Sequence, residues 1–149
     1  MRRYIQALLI VVAATFAVAC DESLSSIAGP DTPNLEPTFG SVQRDIFKTA
    51  EASGRRACVS CHTANGRTPA GGLNLDVADP HAVLVNGPST RNPGQTFVVP
   101  GNPDASYLVR KLEGAPGIVG VRMPLGDPYL TAGQISIVRR WIEVGAPKN

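Results

Sequence analysis

The 149-residue chain has little of several residue types that functional sites often use. It contains three cysteines, two histidines, two methionines and one tryptophan, and aromatic residues make up only 5% of it. Few large aromatic side chains leave less apolar area to bury, so the core must be small. The 15 glycines and 13 prolines indicate long irregular connections. Apolar residues still reach 43%, which argues against disorder of the whole chain.

A dominant charge of one sign is also missing. The formal net charge of +2 equals the contribution of Arg2 and Arg3, which lie in a segment that we expect to be removed. From residue 20 onward the chain carries 12 basic and 12 acidic side chains. No basic run remains, and this argues against nucleic acid as a partner.

The N-terminus has the pattern of an export signal. Arg2 and Arg3 precede an apolar stretch over 7–19, which is short for a membrane span, and Cys20 follows directly. Residues 17–20, Ala-Val-Ala-Cys, resemble a bacterial lipoprotein cleavage box, although Ala17 stands where leucine is usual. An uncleaved anchor and a plain signal peptide remain alternatives. The prediction is a protein on the periplasmic side of a bacterial membrane, anchored by lipid on Cys20.

The remaining chain divides into a linker and one domain. We predict a signal peptide over 1–19, a lipidated N-terminus and flexible linker over 20–40, and a domain over 41–149. Helix signals recur from Ser41 to Gly54, at Asp79-Pro80, from Asn102 to Gly114 and from Thr131 to Gly145. In the first, Val42, Ile46, Phe47 and Ala50 fall on one apolar face, and in the last, Thr131 and Gln134 have the spacing of a capping box. Thr96 to Val99 is the one candidate for a short extended piece. The expected fold class is all-α, with three to five helices and long loops.

The strongest motif is Cys58-Val59-Ser60-Cys61-His62. Two cysteines that are three positions apart lie about one helical turn from each other, so both thiols can form thioethers along one porphyrin edge. A histidine directly after the second cysteine can offer a neutral imidazole nitrogen to the iron. The motif predicts one covalently attached haem c, held through Cys58 and Cys61 and ligated by His62.

Three other readings of the cysteine pair are weaker. A structural zinc site needs four ligands, and beyond the motif the exported chain offers His81 and the distant Cys20. A redox-active dithiol lacks the usual strand-helix-strand surroundings. A disulfide between Cys58 and Cys61 would close too short a loop to stabilise much chain.

A haem iron with two protein ligands needs a second one besides His62, and the sequence offers few candidates. Once the signal peptide is removed, Met123 is the sole methionine, and His81 is the sole histidine outside the motif. Met123 lies in a loop between the last two helices, and Pro124 favours extended backbone before it. We therefore predict Met123 as the ligand and keep His81 as the alternative. Core packing is the ordinary role for a lone methionine.

At these residues the chain resembles the class I cytochrome c family, in particular small bacterial single-haem domains that end in a Met-Pro loop and a Trp-Ile helix. The resemblance covers residues 40–147 and follows the family order from Ile46-Phe47 through the Cys-x-x-Cys-His motif and the methionine loop to Trp141-Ile142. It implies His62 and Met123 as axial ligands and terminal helices that cross beside the haem. A longer spacer between Phe47 and Cys58 leaves the packing of the first helix open.

The expected function is transfer of single electrons between periplasmic or membrane redox partners, whose identity the sequence does not give. With both axial positions filled, the iron has no open site for a substrate, so we expect a carrier and not an enzyme. Alternatives are a subunit of a larger redox enzyme, a haem peroxidase, or a gas sensor in which Met123 is displaced.

Overall fold

The computed structural model describes Thr32, residues 34–126 and residues 128–149, and the secondary structure of these residues is helical with no sheet. Helix α1 begins as an α-helical turn over Phe39–Ser41 and continues as a π-helix over Val42–Lys48. The other helices are α2 (Pro80–Leu84), α3 (Tyr107–Glu113) and α4 (Ala132–Glu143). Single 3₁₀ turns occupy Cys58–Ser60 and Ala70–Gly72. The expected all-α class is confirmed for the described part of the chain.

Helix α1 begins earlier than the sequence indicates. Thr38, and not Ser41, caps it: the Thr38 hydroxyl oxygen accepts a hydrogen bond from the Ser41 N–H at 3.2 Å. Ser41 is buried, and its hydroxyl donates to Asp45 instead. The helix stops at Lys48, so Ala50, which was expected on the apolar face, lies beyond it and is exposed. The other members of that face are buried: Val42, Ile46 and Phe47.

Two helix starts follow their sequence signals closely. The Asp79 carboxylate accepts from the Ala82 N–H at the start of α2, and Pro80 occupies the first turn. At α4, Thr131 and Gln134 form the predicted capping box, in which each side chain accepts a hydrogen bond from the other residue's backbone N–H. These local bonds satisfy backbone donors that a helix start leaves free.

Helix α3 is shorter than predicted. It begins at Tyr107 and not at Asn102-Pro103, because the Ser106 hydroxyl donates to the Asn102 carbonyl and accepts from the Val99 N–H at 2.9 Å. These bonds hold the preceding residues in turns. The end is as expected, since Gly114 adopts the left-handed conformation with φ 72°.

The core is one cluster of buried apolar residues to which α1, α3 and α4 all contribute. Helices α3 and α4 are in contact, and the apolar stripe of α4 is buried throughout. The rings of Phe39 in α1 and Trp141 in α4 lie 5.5 Å apart between centroids. The N-terminal and C-terminal helices therefore meet through aromatic side chains. The buried stripe of α4 comprises Ile135, Val138, Trp141 and Ile142.

The packed domain starts before residue 41. Within the segment predicted as a linker, Thr32, Leu35 and Phe39 are buried, and the Gln134 side-chain amide donates to the Thr32 hydroxyl oxygen at 3.0 Å. The predicted signal peptide and Cys20 lie outside the described residues. Within the described ranges, no helix is long and apolar enough to cross a membrane.

A short extended piece packs beside α2. Val98 forms an isolated bridge with Val85, and Thr96 forms another with Pro88, so the predicted extended piece from Thr96 to Val99 does pair, but without building a sheet. Gly87 lies between the two bridge residues Val85 and Pro88, and it is buried. A Cβ atom at Gly87 would lie 1.9 Å from the carbonyl oxygen of Val83. Lack of space, and not an unusual φ, requires glycine there.

Candidate functional site

The Cys-x-x-Cys-His motif forms one tight turn. The Cys61 N–H and the His62 N–H both donate to the Cys58 carbonyl oxygen, at 3.2 Å and 2.9 Å. Both cysteines are half-buried free thiols. The Cys58 thiol donates to the Ile46 carbonyl oxygen of α1 at 3.5 Å, so the first helix orients this sulfur.

The environment of Cys58 is unlike that of a reactive dithiol. Burial raises the pKa of the Cys58 thiol to about 11, although the nearby Arg55 charge acts in the opposite direction. Redox-active and metal-binding cysteines generally need a thiolate, which neighbouring positive charge or a metal stabilises. Cys58 is a neutral thiol at neutral pH, which disfavours the dithiol alternative.

A cavity of about 510 Å³ opens beside the motif. Cys58, His62 and Met123 all line it, although they are far apart in the sequence, whereas Cys61 does not. This volume lies within the usual range for bound cofactors and small ligands, roughly 300–1,000 Å³. Most of the wall is apolar and comes from α1, α3 and three loops: Phe47, Leu73, Leu75, Phe97, Leu108, Leu112, Val119, Val121 and Leu125.

His62 presents an imidazole with an unused nitrogen. Its Nδ1 is buried and has no hydrogen-bond partner. Burial lowers the pKa of His62, and the backbone groups of Ala70 and Leu73 partly oppose this effect. The ring is therefore neutral at neutral pH, which is the form that ligates metals.

The alternative ligand His81 lies elsewhere. It does not line the cavity; its Nε2 is 2.8 Å from the Ala146 carbonyl oxygen. Its ring packs edge-on against Phe39, with 4.9 Å between centroids. His81 therefore joins α2 to α1 and to the C-terminal residues, and it is not positioned as a cavity ligand.

The loop that carries Met123 is bound to α3. The Met123 N–H donates to the Lys111 carbonyl oxygen at 2.8 Å. The Arg122 guanidinium donates to the Leu112 carbonyl oxygen at 2.7 Å and stacks over the Tyr129 ring at 4.2 Å. Met123 itself is half-buried. No sequence signal indicates a role for Lys111, because a lysine near a helix end usually points to solvent.

A second missed residue is Arg55, whose side chain is 0% exposed. Its guanidinium donates to the carbonyls of Asp45, Ile46 and Thr49 at the end of α1, and it pairs with Glu51 at 2.8 Å. The longer spacer between Phe47 and Cys58 therefore folds around one buried cation. Arg55 and the Cys58 thiol share the Ile46 carbonyl, so this arrangement also supports the motif.

The Glu51–Arg55 pair predicts a pH dependence of stability. Burial disfavours the Glu51 carboxylate, but hydrogen bonds from Arg55 and Gln134 outweigh burial and hold its pKa below the usual value of 4.5. The pair thus contributes stability above pH 4.5, and this contribution is lost as the pH falls through the lower folded pKa. We expect the melting temperature of the Glu51→Gln variant to fall less than that of the wild type between about pH 5 and about pH 3.

Thermal denaturation followed by circular dichroism at several pH values checks this expectation. Glu143→Gln is the matched control, because Glu143 pairs with Arg140 on the surface at 57% exposure and should leave the wild-type pH dependence unchanged. A Glu51→Gln variant with the wild-type slope would contradict the assignment.

The described ranges contain no group of three or more His, Cys, Asp or Glu side chains arranged to hold a metal ion. A structural zinc site needs four ligands, so the zinc alternative finds no support in this part of the chain.

No protein-family model matches the chain. Comparison with curated proteins gives no match, and comparison with solved structures gives none either. What the chain binds must therefore be inferred from the chemistry and positions of its own residues.

Proposed function

We propose that the chain is a single-haem c-type cytochrome of the class I type that carries single electrons. One observation carries this proposal: Cys58, His62 and Met123 line the same apolar cavity of about 510 Å³. A thioether-forming thiol, a neutral imidazole and a thioether sulfur are the donors that such a haem needs. When bound, the haem iron supplies a one-electron couple between its ferrous and ferric states.

The chemistry of each residue fits its proposed role. Cys58 and Cys61 would hold the group covalently, and the neutral thiol of Cys58 already faces the cavity. His62 would offer a neutral imidazole nitrogen to the iron, and its buried Nδ1 has no hydrogen-bond partner within the protein. Met123 would supply the second axial ligand from the loop after α3. A thioether in that position favours the reduced state more than a second imidazole does.

The surroundings of the cavity bear on the choice between a carrier and a catalyst. Around a bound haem, the apolar side chains from α1 and α3 would exclude water and raise the reduction potential. A peroxidase would need an acid–base residue beside an open axial position. His81, the candidate for that role, is bound to the Ala146 carbonyl away from the cavity. This position favours the carrier over the peroxidase.

The proposal extends to location and partners. An exported protein with lipid on Cys20 would carry its domain on the periplasmic side of a bacterial membrane, between a donor and an acceptor protein. Covalent attachment suits that location, because haem lost outside the cytoplasm is not readily replaced. A place in a larger redox complex is compatible with the same site.

The Met123→Ala variant tests the carrier assignment. We expect the wild type, expressed with a haem-maturation system, to retain haem on a denaturing gel and to show a low-spin spectrum with a weak far-red Met-to-iron band. Met123→Ala should keep the covalent haem, lose the band and react with CO when reduced. Its reduction potential should fall by on the order of 100 mV, a fraction of the ~0.8 V that axial ligands span.

Val144→Ala is the control, because Val144 is 52% exposed, lies at the end of α4 and does not line the cavity. A covalent but high-spin wild type would favour the sensor or a catalytic role. A wild type without covalent haem, despite competent maturation, would make the whole proposal wrong.

A further inference from the structure

The end of α3 and the methionine loop, residues 115–126, complete each other's hydrogen bonds. The last carbonyl groups of a helix have no partner within it. Here the loop provides partners: the Met123 N–H donates to the Lys111 carbonyl, and the Arg122 guanidinium donates to the Leu112 carbonyl. These bonds fix the backbone of Met123 against the end of α3, the helix that forms one wall of the cavity.

The helix also contributes side chains to the loop. The ammonium group of Lys111 donates to the Val119 carbonyl oxygen at 2.9 Å and to the Val121 carbonyl oxygen as well. The Tyr107 hydroxyl oxygen accepts from the Val119 N–H at 2.9 Å. Lys111 thus contacts the loop in two ways. Its main-chain carbonyl accepts from Met123, and its side chain donates to Val119 and Val121.

These contacts matter because hydrogen bonds from α3 hold much of the loop, among them one from the Arg110 guanidinium to the Pro116 carbonyl oxygen at 2.9 Å. Val119 and Val121, which line the cavity, are 43% and 53% exposed, so packing against other side chains contributes little to the loop position. Glycines at 117, 120 and 126 have positive φ values and add backbone freedom in the unfolded chain. Hydrogen bonds from a charged donor are stronger than those between neutral groups. Lys111 donates two such bonds to the loop and therefore helps to determine where Met123 lies.

We propose that Lys111 is a positioning residue that holds Met123 against the cavity and so limits entry of small external ligands to the distal side. The inference rests on the proposed function, since it assumes that Met123 is an axial ligand. Without the ammonium group, the loop spends more time displaced. The apparent affinity for an external ligand rises in proportion to the displaced fraction.

The test compares Lys111→Leu, which keeps an apolar stem and removes the donors, with Lys48→Leu as the matched control. Lys48 is an exposed lysine at the end of α1. In the haem-loaded full chain, we expect Lys111→Leu to retain covalent haem, to weaken the far-red Met-to-iron band and to bind imidazole about tenfold more tightly than the wild type. Lys111→Arg, which restores a donor able to reach two carbonyls, should bring both values back toward wild type.

Unchanged imidazole affinity and an unchanged band in folded Lys111→Leu would overturn the proposal, and so would equal effects from Lys48→Leu. If Lys111→Leu does not fold, Lys111→Gln undergoes the same titration. Amide hydrogen exchange at Met123 separates this inference from the proposed function. If the wild type takes no haem, faster Met123 exchange in Lys111→Leu still supports the positioning of the loop, whereas unchanged exchange rejects it.

Discussion

A chain that carries both Cys58→Ala and Cys61→Ala is expected to lose all covalently bound haem. The two thiols are the attachment atoms of the proposed site, and no other cysteine lies among the described residues. Each single variant should keep one thioether. We expect Cys58→Ala to lower the yield more, because Cys58 lines the cavity and is oriented by the Ile46 carbonyl, whereas Cys61 does not line it. Intact-protein mass after denaturation and haem-stained gels measure attachment directly.

The control for this experiment is Ser60→Ala. Ser60 lies between the two cysteines, is exposed, and donates its hydroxyl to the Ala57 carbonyl. Its loss should leave attachment unchanged. Covalent haem that persists in the double variant would place the attachment elsewhere and return Cys58 and Cys61 to other chemistry.

Replacing Arg55 with leucine is expected to lower the free energy of unfolding by about 3–5 kcal/mol, the range measured when one member of a buried ion pair is removed. The Arg55 side chain is 0% exposed and that of Glu51 is 5% exposed, so the remaining carboxylate stays buried without its partner. Several carbonyls at the end of α1 lose their donor as well. One of them is the Ile46 carbonyl, which also accepts the hydrogen bond from the Cys58 thiol. The substitution therefore also loosens the acceptor that orients this sulfur.

Urea unfolding followed by the fluorescence of Trp141, the single tryptophan and a buried one, measures this change. Arg56→Leu is the control, because Arg56 is the exposed neighbour and should alter stability by less than about 0.5 kcal/mol. The double variant Glu51→Gln with Arg55→Leu should recover part of the loss, since no buried charge remains. A single Arg55→Leu variant as stable as the control would show that the pair contributes nothing.

Local signals in the sequence predicted the parts of the fold that depend on local bonds. Asp79-Pro80 and the Thr131–Gln134 capping box need only residues that are near in sequence, and both are present as expected. The Cys-x-x-Cys-His motif and Met123 were also identified as candidate site residues from the sequence, and the structure brings Cys58, His62 and Met123 to one cavity. Haem binding itself stays a prediction.

Features that depend on distant contacts were missed. Arg55 reads as a surface residue in a polar segment, and its burial follows from carbonyls left free by the π-helical end of α1. The role of Lys111 depends on where the loop after α3 folds back. The start of α3 was placed too early because the hydroxyl of Ser106, four residues after Asn102, forms hydrogen bonds with the preceding backbone. The burial of Arg55 and the contacts of the Lys111 side chain have no signal in neighbouring residues, whereas the start of α3 depends on local bonds that the helix pattern did not reveal.

The crowding at Gly87 also sets a limit on how this sequence can diverge. Any side chain at that position would collide with the Val83 carbonyl, so a descendant that keeps the pairing of Val85 with Val98 must keep glycine there, however far the rest has drifted. Exposed positions on the methionine loop carry no such restriction on size. Lineages of this fold should therefore differ more at the exposed positions of the methionine loop than at Gly87, where α2 meets the extended piece.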